Sequence, residues 1–350
     1  MPKALFDCEI EFCPSRHLTH VYDGFWKLKK KGIINLKAKR VALENSKPVI
    51  KVIVNNKYTV IYDALDGLNW TDGTLEENID YIKSKIDCDY YFKRSFKPEL
   101  KQYFKDSVHY HPLGLYFFVD HEGDYPLTLK EKIKAAIKEK VQKDYFPVHK
   151  YEYPPIRNNE NKILFLCGLW DPAEVSSTEL KEQREKINQD RIQFVRACKA
   201  EFGNRFTGGI QTSNYSKSIA PDALVPSEIT KKQNFLDAIK THNICIASTG
   251  LHDSIGSKFG EYTAASRAII TEPLNYELPG DFKENQNYLS FSNTDELISN
   301  IHSLLSDPTK MQNMMFNNFR YYNNYVSSEK MVLNSLLAIH HNELGRSSFG

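Results

Sequence analysis

The chain has 350 residues, of which 41% are hydrophobic and 26% are charged, and its formal net charge is +2. This length suits two domains, the composition is that of a globular protein, and the balanced charge gives no sign of a nucleic-acid partner. Apolar runs fall short of the roughly 20 residues of a membrane span, and the N-terminus lacks the apolar stretch of a secretion signal. We therefore expect a soluble, cytoplasmic protein.

The six cysteines show no CxxC spacing, which argues against a zinc site. Cys167 and Cys245 lie in apolar, strand-like runs, where free buried thiols are common. A reducing compartment is the simpler inference.

The first half of the chain predicts an α/β domain. The pattern predicts strands at residues 3–12, 89–96 and 108–115, helices at 21–34 and 76–86, and a hairpin formed by 48–54 and 58–62. Asp63 and Asp66 follow the second hairpin strand, where α/β proteins place reactive groups. The same Asp-x-x-Asp-Gly spacing is typical of turns and helix caps, so both interpretations stay open.

Two segments are rich in lysine. One contains the lysines at positions 27, 29, 30 and 31, and the other is a predicted amphipathic helix at residues 127–143. We expect solvated faces, with peripheral contact to an anionic membrane as the alternative. The change of character across residues 121–160 indicates an interdomain connection.

The second half predicts a doubly wound α/β pattern, beginning with a buried strand at residues 162–169. In the charged helix predicted at residues 178–201, Arg184, Asn188 and Arg191 share one face. We expect that face to be solvated; the alternative is that Arg184 points toward the ends of the strands.

The stretch from residue 243 to residue 291 organises this half. It predicts a strand at 244–248, a Gly-containing turn at 250–257, a helix from about 258 to 266, and strands at 268–271 and 288–291. A strand, a Gly loop and a helix start together offer free backbone N–H groups to an anion. Lys258 and Glu261 lie three apart on one helix face, which suits the phosphate and the ribose hydroxyls of a nucleotide diphosphate. Many such loops bind nothing, and a first-turn Glu also suits the helix dipole.

Several segments resemble the GT-B fold glycosyltransferases. SKFGEYTAASRAIITEPL, from Ser257, resembles the donor-site helix and following strand of that family. NYLSFSNTDELISNIHSLLSDPTKMQNM resembles the tail segment of bacterial group 1 and CgeB-like transferases, and DCDYYFKRSF and HYHPLGL resemble the end of the N-terminal domain in surface-glycan transferases. The resemblance covers residues 88–115 and 162–337.

The resemblance implies two Rossmann-like α/β domains facing a cleft, with a C-terminal helix that crosses back to the first domain. The expected division is an acceptor-binding domain at residues 1–120, a connection at 121–160, a donor domain at 161–328 and the returning helix at 329–350.

The resemblance also implies roles for matching residues. Lys258 would hold the diphosphate with amides around Gly256 and Ser257, and Glu261 would hold the ribose. The expected donor-binding residues are Gly250, Gly256, Ser257, Lys258, Glu261, Tyr262, Arg184 and Arg94. The family's E-x7-E pair is not intact, because Asp253 and Ser254 stand where the first glutamate of that pair is expected.

The expected activity is transfer of a sugar from a nucleotide-diphosphate sugar to a glycan or glycolipid hydroxyl, in lipopolysaccharide, capsule or other surface-glycan synthesis. No cofactor and no metal are expected. An inverting reaction needs a base, for which Asp23, Asp63 and Asp66 are the candidates, ahead of His17 and His20. Asp23 also suits the dipole of an early helix turn. A nucleotide-sugar epimerase and a non-catalytic sugar-nucleotide- or carbohydrate-binding protein remain as alternatives.

Overall fold

The computed structural model describes residues 4–41, 47–71, 73–120, 122–142 and 144–347, with side chains through residue 342. The chain forms two compact units of α/β structure. Unit 1 comprises Met1–His149, Tyr276–Gly280 and Asn323–Gly350, and unit 2 comprises Lys150–Asn275 and Asp281–Tyr322.

Unit 1 contains a six-stranded mixed sheet in the order β2-β1-β3-β4-β5-β6. Its strands are β1 (Phe6–Phe12), β2 (Ile34–Arg40), β3 (Val49–Val54), β4 (Tyr58–Asp63), β5 (Tyr90–Lys93) and β6 (His109–Pro112). Its helices are α1 (Thr19–Lys30), α2 (Leu75–Lys85), α3 (Leu129–Val141) and, from the end of the chain, α11 (Ser328–Ser347).

The predicted hairpin is present, and β3 and β4 pair antiparallel. Asn55 and Asn56 form its turn with φ values of 55° and 52°, in the left-handed region that Asn tolerates and that tight hairpins need. The remaining neighbours pair in parallel, apart from β1 with β3. Strand β2 was not predicted, because only Ile34 and Leu36 of its seven residues are buried.

The C-terminal helix α11 packs against α1, as the predicted returning helix requires. Gly24 makes the close approach possible, since a Cβ there would lie 2.1 Å from the Ser328 carbonyl oxygen. His20, on the same helix, donates from Nε2 to the Val326 carbonyl oxygen at 2.7 Å. The last part of the chain therefore completes the core of unit 1.

Unit 2 contains a five-stranded parallel sheet in the order β11-β10-β9-β7-β8. Its strands are β7 (Ile163–Cys167), β8 (Phe206–Ile210), β9 (Ile244–Ala247), β10 (Ala268–Thr271) and β11 (Tyr288–Ser290). Its helices are α4 (Thr178–Phe202), α5 (Asn214–Ile219), α6 (Ser227–Thr230), α7 (Lys232–Thr241), α8 (Ser257–Ala264), α9 (Thr294–Ser306) and α10 (Pro308–Tyr321). All residues of β7, β9 and β10 are buried, which is typical of a sheet covered on both faces.

Two Rossmann-like units and a helix returning to α1 together agree with the predicted fold class. In the described part of the chain, no helix is both long and apolar enough to cross a bilayer. Within the same residues, no group of three or more His, Cys, Asp or Glu side chains could hold a metal ion. The six cysteines are free.

Burial of His20 makes the stability of unit 1 depend on pH. Desolvation lowers the pKa of this histidine from 6.5 to about 4. Below pH 6.5 the unfolded chain therefore takes up a proton that the folded chain binds only near pH 4, so stability falls as the pH falls. We expect this residue to remove about 2 to 3 kcal/mol of unfolding free energy between pH 7 and pH 4.5.

His20→Gln keeps a donor for the Val326 carbonyl and cannot titrate. Between pH 7 and pH 4.5 the urea-unfolding free energy of this variant should therefore fall by about 2 to 3 kcal/mol less than that of the parent. His341→Gln, at an exposed site in the same unit, is the control and should behave like the parent. Equal losses in the His20→Gln variant and the parent would contradict the assignment.

Candidate functional site

The order of strands creates a crevice at one edge of the unit 2 sheet. Strand β7 lies between β8 and β9, so the order in which the strands are added to the sheet reverses at β7. Ligands of open α/β sheets bind at such a point, outside the carboxyl ends of the strands. Gly168 and Trp170 follow β7, and Ser248, Thr249 and Gly250 follow β9. These two loops border the candidate site.

Arg191 of α4 ties the two loops together. Its guanidinium donates to the Gly168 carbonyl oxygen at 2.6 Å, to Ser248 Oγ at 3.0 Å and to the Thr249 carbonyl oxygen at 2.9 Å. It also lies 4.3 Å from the centre of the Trp170 ring. Burial lowers the pKa of Arg191, yet an arginine stays charged in proteins. A cation is therefore fixed between the loops.

The expectation of a solvated face on α4 is wrong for two of its three residues. Asn188 and Arg191 are 2% and 7% exposed. Asn188 accepts from the Trp170 N–H at 3.0 Å and donates to its carbonyl oxygen at 2.7 Å. Arg184 donates to the Asp171 carbonyl oxygen at 2.5 Å. The face holds the loop after β7, because backbone groups there need partners that the sheet does not supply.

Lys258 is the second residue of α8, and its ammonium group reaches back to the sheet. Its Nζ donates to the carbonyl oxygen of Leu166 in β7. Burial lowers the pKa of Lys258, and the nearby charge of Arg191 acts in the same direction. Two cations thus lie near each other around the end of β7, which is an unfavourable arrangement unless an anion joins them.

Glu261, one turn further along α8, is 2% exposed. Its Oε1 accepts from Lys232 Nζ at 2.7 Å. Its Oε2 has no hydrogen-bond partner among the described residues. A buried carboxylate oxygen without a donor is costly, so a ligand hydroxyl that reached this oxygen would relieve that cost.

The start of α8 is open to an anion. Gly256 precedes the helix, and no side chain of the described residues caps the first N–H groups. A Cβ at Gly256 would meet nothing within 4 Å, whereas one at Gly250 would lie 2.6 Å from Ser254 Oγ. Ser257 and Lys258 therefore lie at an uncapped, half-buried end of the helix dipole.

Glu272 follows β10 and fixes the loop after β9 from its other side. It accepts from the Thr249 N–H at 2.8 Å and from Thr249 Oγ1 at 3.2 Å. Burial raises the pKa of Glu272. The position of Glu272 directly after a predicted strand could have marked it as a candidate site residue. Nothing in the sequence indicated the pairing of Lys232 with Glu261. Tyr262, a predicted donor residue, is fully buried next to Phe235 and contributes to packing.

The remaining predicted residues lie in unit 1, and two of the acids are buried. Asp23 is 1% exposed, pairs with Lys27 at 2.8 Å and accepts from the Ser328 hydroxyl. Asp63 is fully buried, lies 3.1 Å from Lys93 Nζ and accepts from the Tyr91 hydroxyl. Both arrangements hold elements of unit 1 together, which favours structural roles for these acids.

Asp66 differs from the other two acids because its side chain is 38% exposed. It pairs with Arg94, whose guanidinium lies 4.5 Å from the centre of the Tyr116 ring. The Tyr116 hydroxyl in turn hydrogen-bonds His17 Nδ1 at 2.7 Å, and His17 is exposed. An accessible carboxylate, an arginine and an imidazole thus lie together near the carboxyl ends of β4 and β5.

No protein-family model and no curated protein matches the chain. Solved structures with a similar fold include the C-terminal domain of a group 1 family glycosyl transferase, LpcC, from Francisella tularensis (9% identity, TM-score 0.36, 50% of this chain and 95% of that one). HepE of Anabaena, in complex with UDP, is 8% identical with a TM-score of 0.43 over 79% of this chain and 71% of that one. A protein described as a UDP-N-acetylglucosamine 2-epimerase, from Listeria monocytogenes, is 10% identical with a TM-score of 0.43 over 97% and 96%. These likenesses concern the fold alone.

The different burial of Asp63 and Asp66 predicts different costs of removing each acid. Asp63→Ala leaves the Lys93 ammonium, 1% exposed, without its carboxylate. We expect a loss of about 3 to 5 kcal/mol in urea-unfolding free energy. In the pair of Asp66 with Arg94, water screens only the carboxylate, whose side chain is 38% exposed against 9% for Arg94, so we expect a smaller loss of about 1 to 2 kcal/mol. Equal losses in the two variants would contradict the roles assigned to these acids.

Proposed function

We propose that this protein is a glycosyltransferase that moves a sugar from a nucleotide-diphosphate sugar to a hydroxyl of a glycan or glycolipid. The observation that carries the proposal is the start of α8: Lys258 and the half-paired, buried carboxylate of Glu261 lie one turn apart beside an uncapped helix end. Synthesis of lipopolysaccharide, capsule or another surface glycan is the setting that the sequence resemblance suggests.

The charges of the site suit a diphosphate and a ribose. Phosphate oxygens accept from the free N–H groups of a helix start and from an ammonium group. Arg191 and Lys258, both partly desolvated, would gain from an anion between the loops. The ribose hydroxyls can donate to Glu261 Oε2, the oxygen that has no donor among the described residues. In such a site, fixed cations and N–H groups would stabilise the leaving diphosphate.

For the acceptor side of the reaction we propose Asp66 of unit 1. Among the three predicted acids it alone combines an exposed carboxylate with a cationic neighbour, Arg94. An inverting transfer needs a base within hydrogen-bond reach of the acceptor hydroxyl. Asp66→Asn should slow turnover of a bound donor and leave donor affinity like that of the parent, which a coupled assay of nucleotide release and calorimetry would measure.

The donor site itself is tested by titrating a panel of UDP-, GDP- and TDP-sugars into the full-length protein by calorimetry. At least one donor should bind, and Lys258→Ala and Glu261→Gln should each weaken it roughly ten- to a hundredfold, because each removes a charge-assisted hydrogen bond. Lys217→Ala and Glu185→Gln, at exposed sites of the same unit, are matched controls and should bind like the parent. Absence of binding by every donor, or parental affinity in both site variants, would contradict the assignment.

The products formed when the protein is incubated with a bound donor separate the rival functions. An epimerase would release an altered sugar nucleotide without any acceptor. A binding protein would hold the donor and release it unchanged. A transferase should release nucleotide diphosphate, slowly with water and faster with a glycan or glycolipid acceptor.

A further inference from the structure

Helix α3 of unit 1 exposes its apolar side. Leu129, Ile133, Ile137 and Val141 are 76%, 52%, 58% and 61% exposed. They are spaced four residues apart and form one stripe along the helix. A stripe of this kind normally packs against a core, yet no residue of α3 is buried. We predicted this helix at residues 127–143; Lys143 lies outside the described residues.

The charged side of α3 faces the protein instead. Arg40 makes two hydrogen bonds to Glu131, at 2.8 and 3.0 Å. Lys138 makes two to Asp120, at 2.6 and 2.8 Å. At about 100° per residue, Glu131 and Lys138 fall on the side of the helix opposite the apolar stripe. Two ion pairs therefore fix the helix with its apolar side outward.

Three exposed lysines, Lys130, Lys134 and Lys140, lie on the same outward half as the stripe. The helix has two acids, and neither lies in that half. Glu131 pairs with Arg40, and Glu139 lines a pocket that Trp26 and Lys27 of α1 also line. The outward surface is thus apolar and cationic, without acidic residues from this helix.

We propose that α3 is an interfacial helix that docks unit 1 on an anionic lipid surface. The apolar stripe would enter the boundary between headgroups and acyl chains, and the lysines would contact anionic headgroups. A nucleic acid would leave the isoleucines in water, and a second copy of this chain would bring like charges together. The chemistry of the stripe therefore favours lipid, and the inference stands independently of the proposed transfer reaction.

The test is co-flotation of the full-length protein, without donor, with phosphatidylcholine vesicles that contain about a third phosphatidylglycerol. The protein should float with these vesicles and remain behind with pure phosphatidylcholine. Binding should fall when the salt rises from about 0.1 M to about 0.5 M, because salt screens the lysine contribution.

Two variants separate the apolar and the cationic contributions. Ile133→Asp with Ile137→Asp should weaken vesicle binding by roughly tenfold or more. Replacement of Lys130, Lys134 and Lys140 by Gln should weaken it by roughly a hundredfold. The controls are Leu75→Asp, at a site in the same unit that is 58% exposed, and the triple change Lys37→Gln, Lys51→Gln and Lys217→Gln, all exposed. Both controls should bind vesicles like the parent.

Parental binding in both α3 variants overturns the proposal, as does equal binding of the parent to neutral and anionic vesicles. A dimer in solution that Ile133→Asp with Ile137→Asp converts to monomer, without vesicle binding by the parent, assigns the stripe to self-association and also overturns it. Every substituted side chain on α3 is exposed, so unchanged thermal unfolding should accompany each loss of binding.

Discussion

The candidate site depends on one buried guanidinium. Arg191 joins the loop after β7 to the loop after β9 through three hydrogen bonds, and it stacks against Trp170. Without it, the carbonyl oxygens of Gly168 and Thr249 would lack donors, and the two sides of the crevice would lose their fixed spacing. Glu272 holds the second loop from the far side. The doubly wound sheet creates the crevice, and this pair of charged residues gives it a defined shape.

The same arrangement makes the site electrostatically incomplete. Burial lowers the pKa of both Arg191 and Lys258, so the partial removal of these two cations from water costs stability. Glu261 has a donor for only one of its oxygens among the described residues. A ligand with an anionic group and neighbouring hydroxyls would supply both an anion for the two cations and a donor for Glu261. A nucleotide diphosphate combines these two features in its phosphates and its ribose.

Sequence patterns predicted regular elements better than the environment of individual side chains. The strand Ala268–Thr271 and the hairpin around Asn55 were predicted closely, because buried β-branched runs and turn residues carry strong local signals. Strand β2 was missed, since an edge strand with mostly exposed side chains lacks such a signal. The spacing on α4 showed which residues share a face but could not show that a loop of unit 2 covers Arg191. Likewise, the partner of Glu261 comes from a helix 29 residues earlier, beyond the reach of local patterns.

Hydrogen exchange read by mass spectrometry tests the central claim most directly, because it locates a bound donor without any substitution. Exchange in the protein bound to the sugar nucleotide of highest affinity in the panel would be compared with exchange in the free protein, peptide by peptide. We expect slower exchange in the peptides that cover the loop after β9 and the first turn of α8, where N–H groups would bind phosphate. Donor binding that leaves the Ser257–Glu261 segment unprotected, with protection confined to other peptides, would contradict the account.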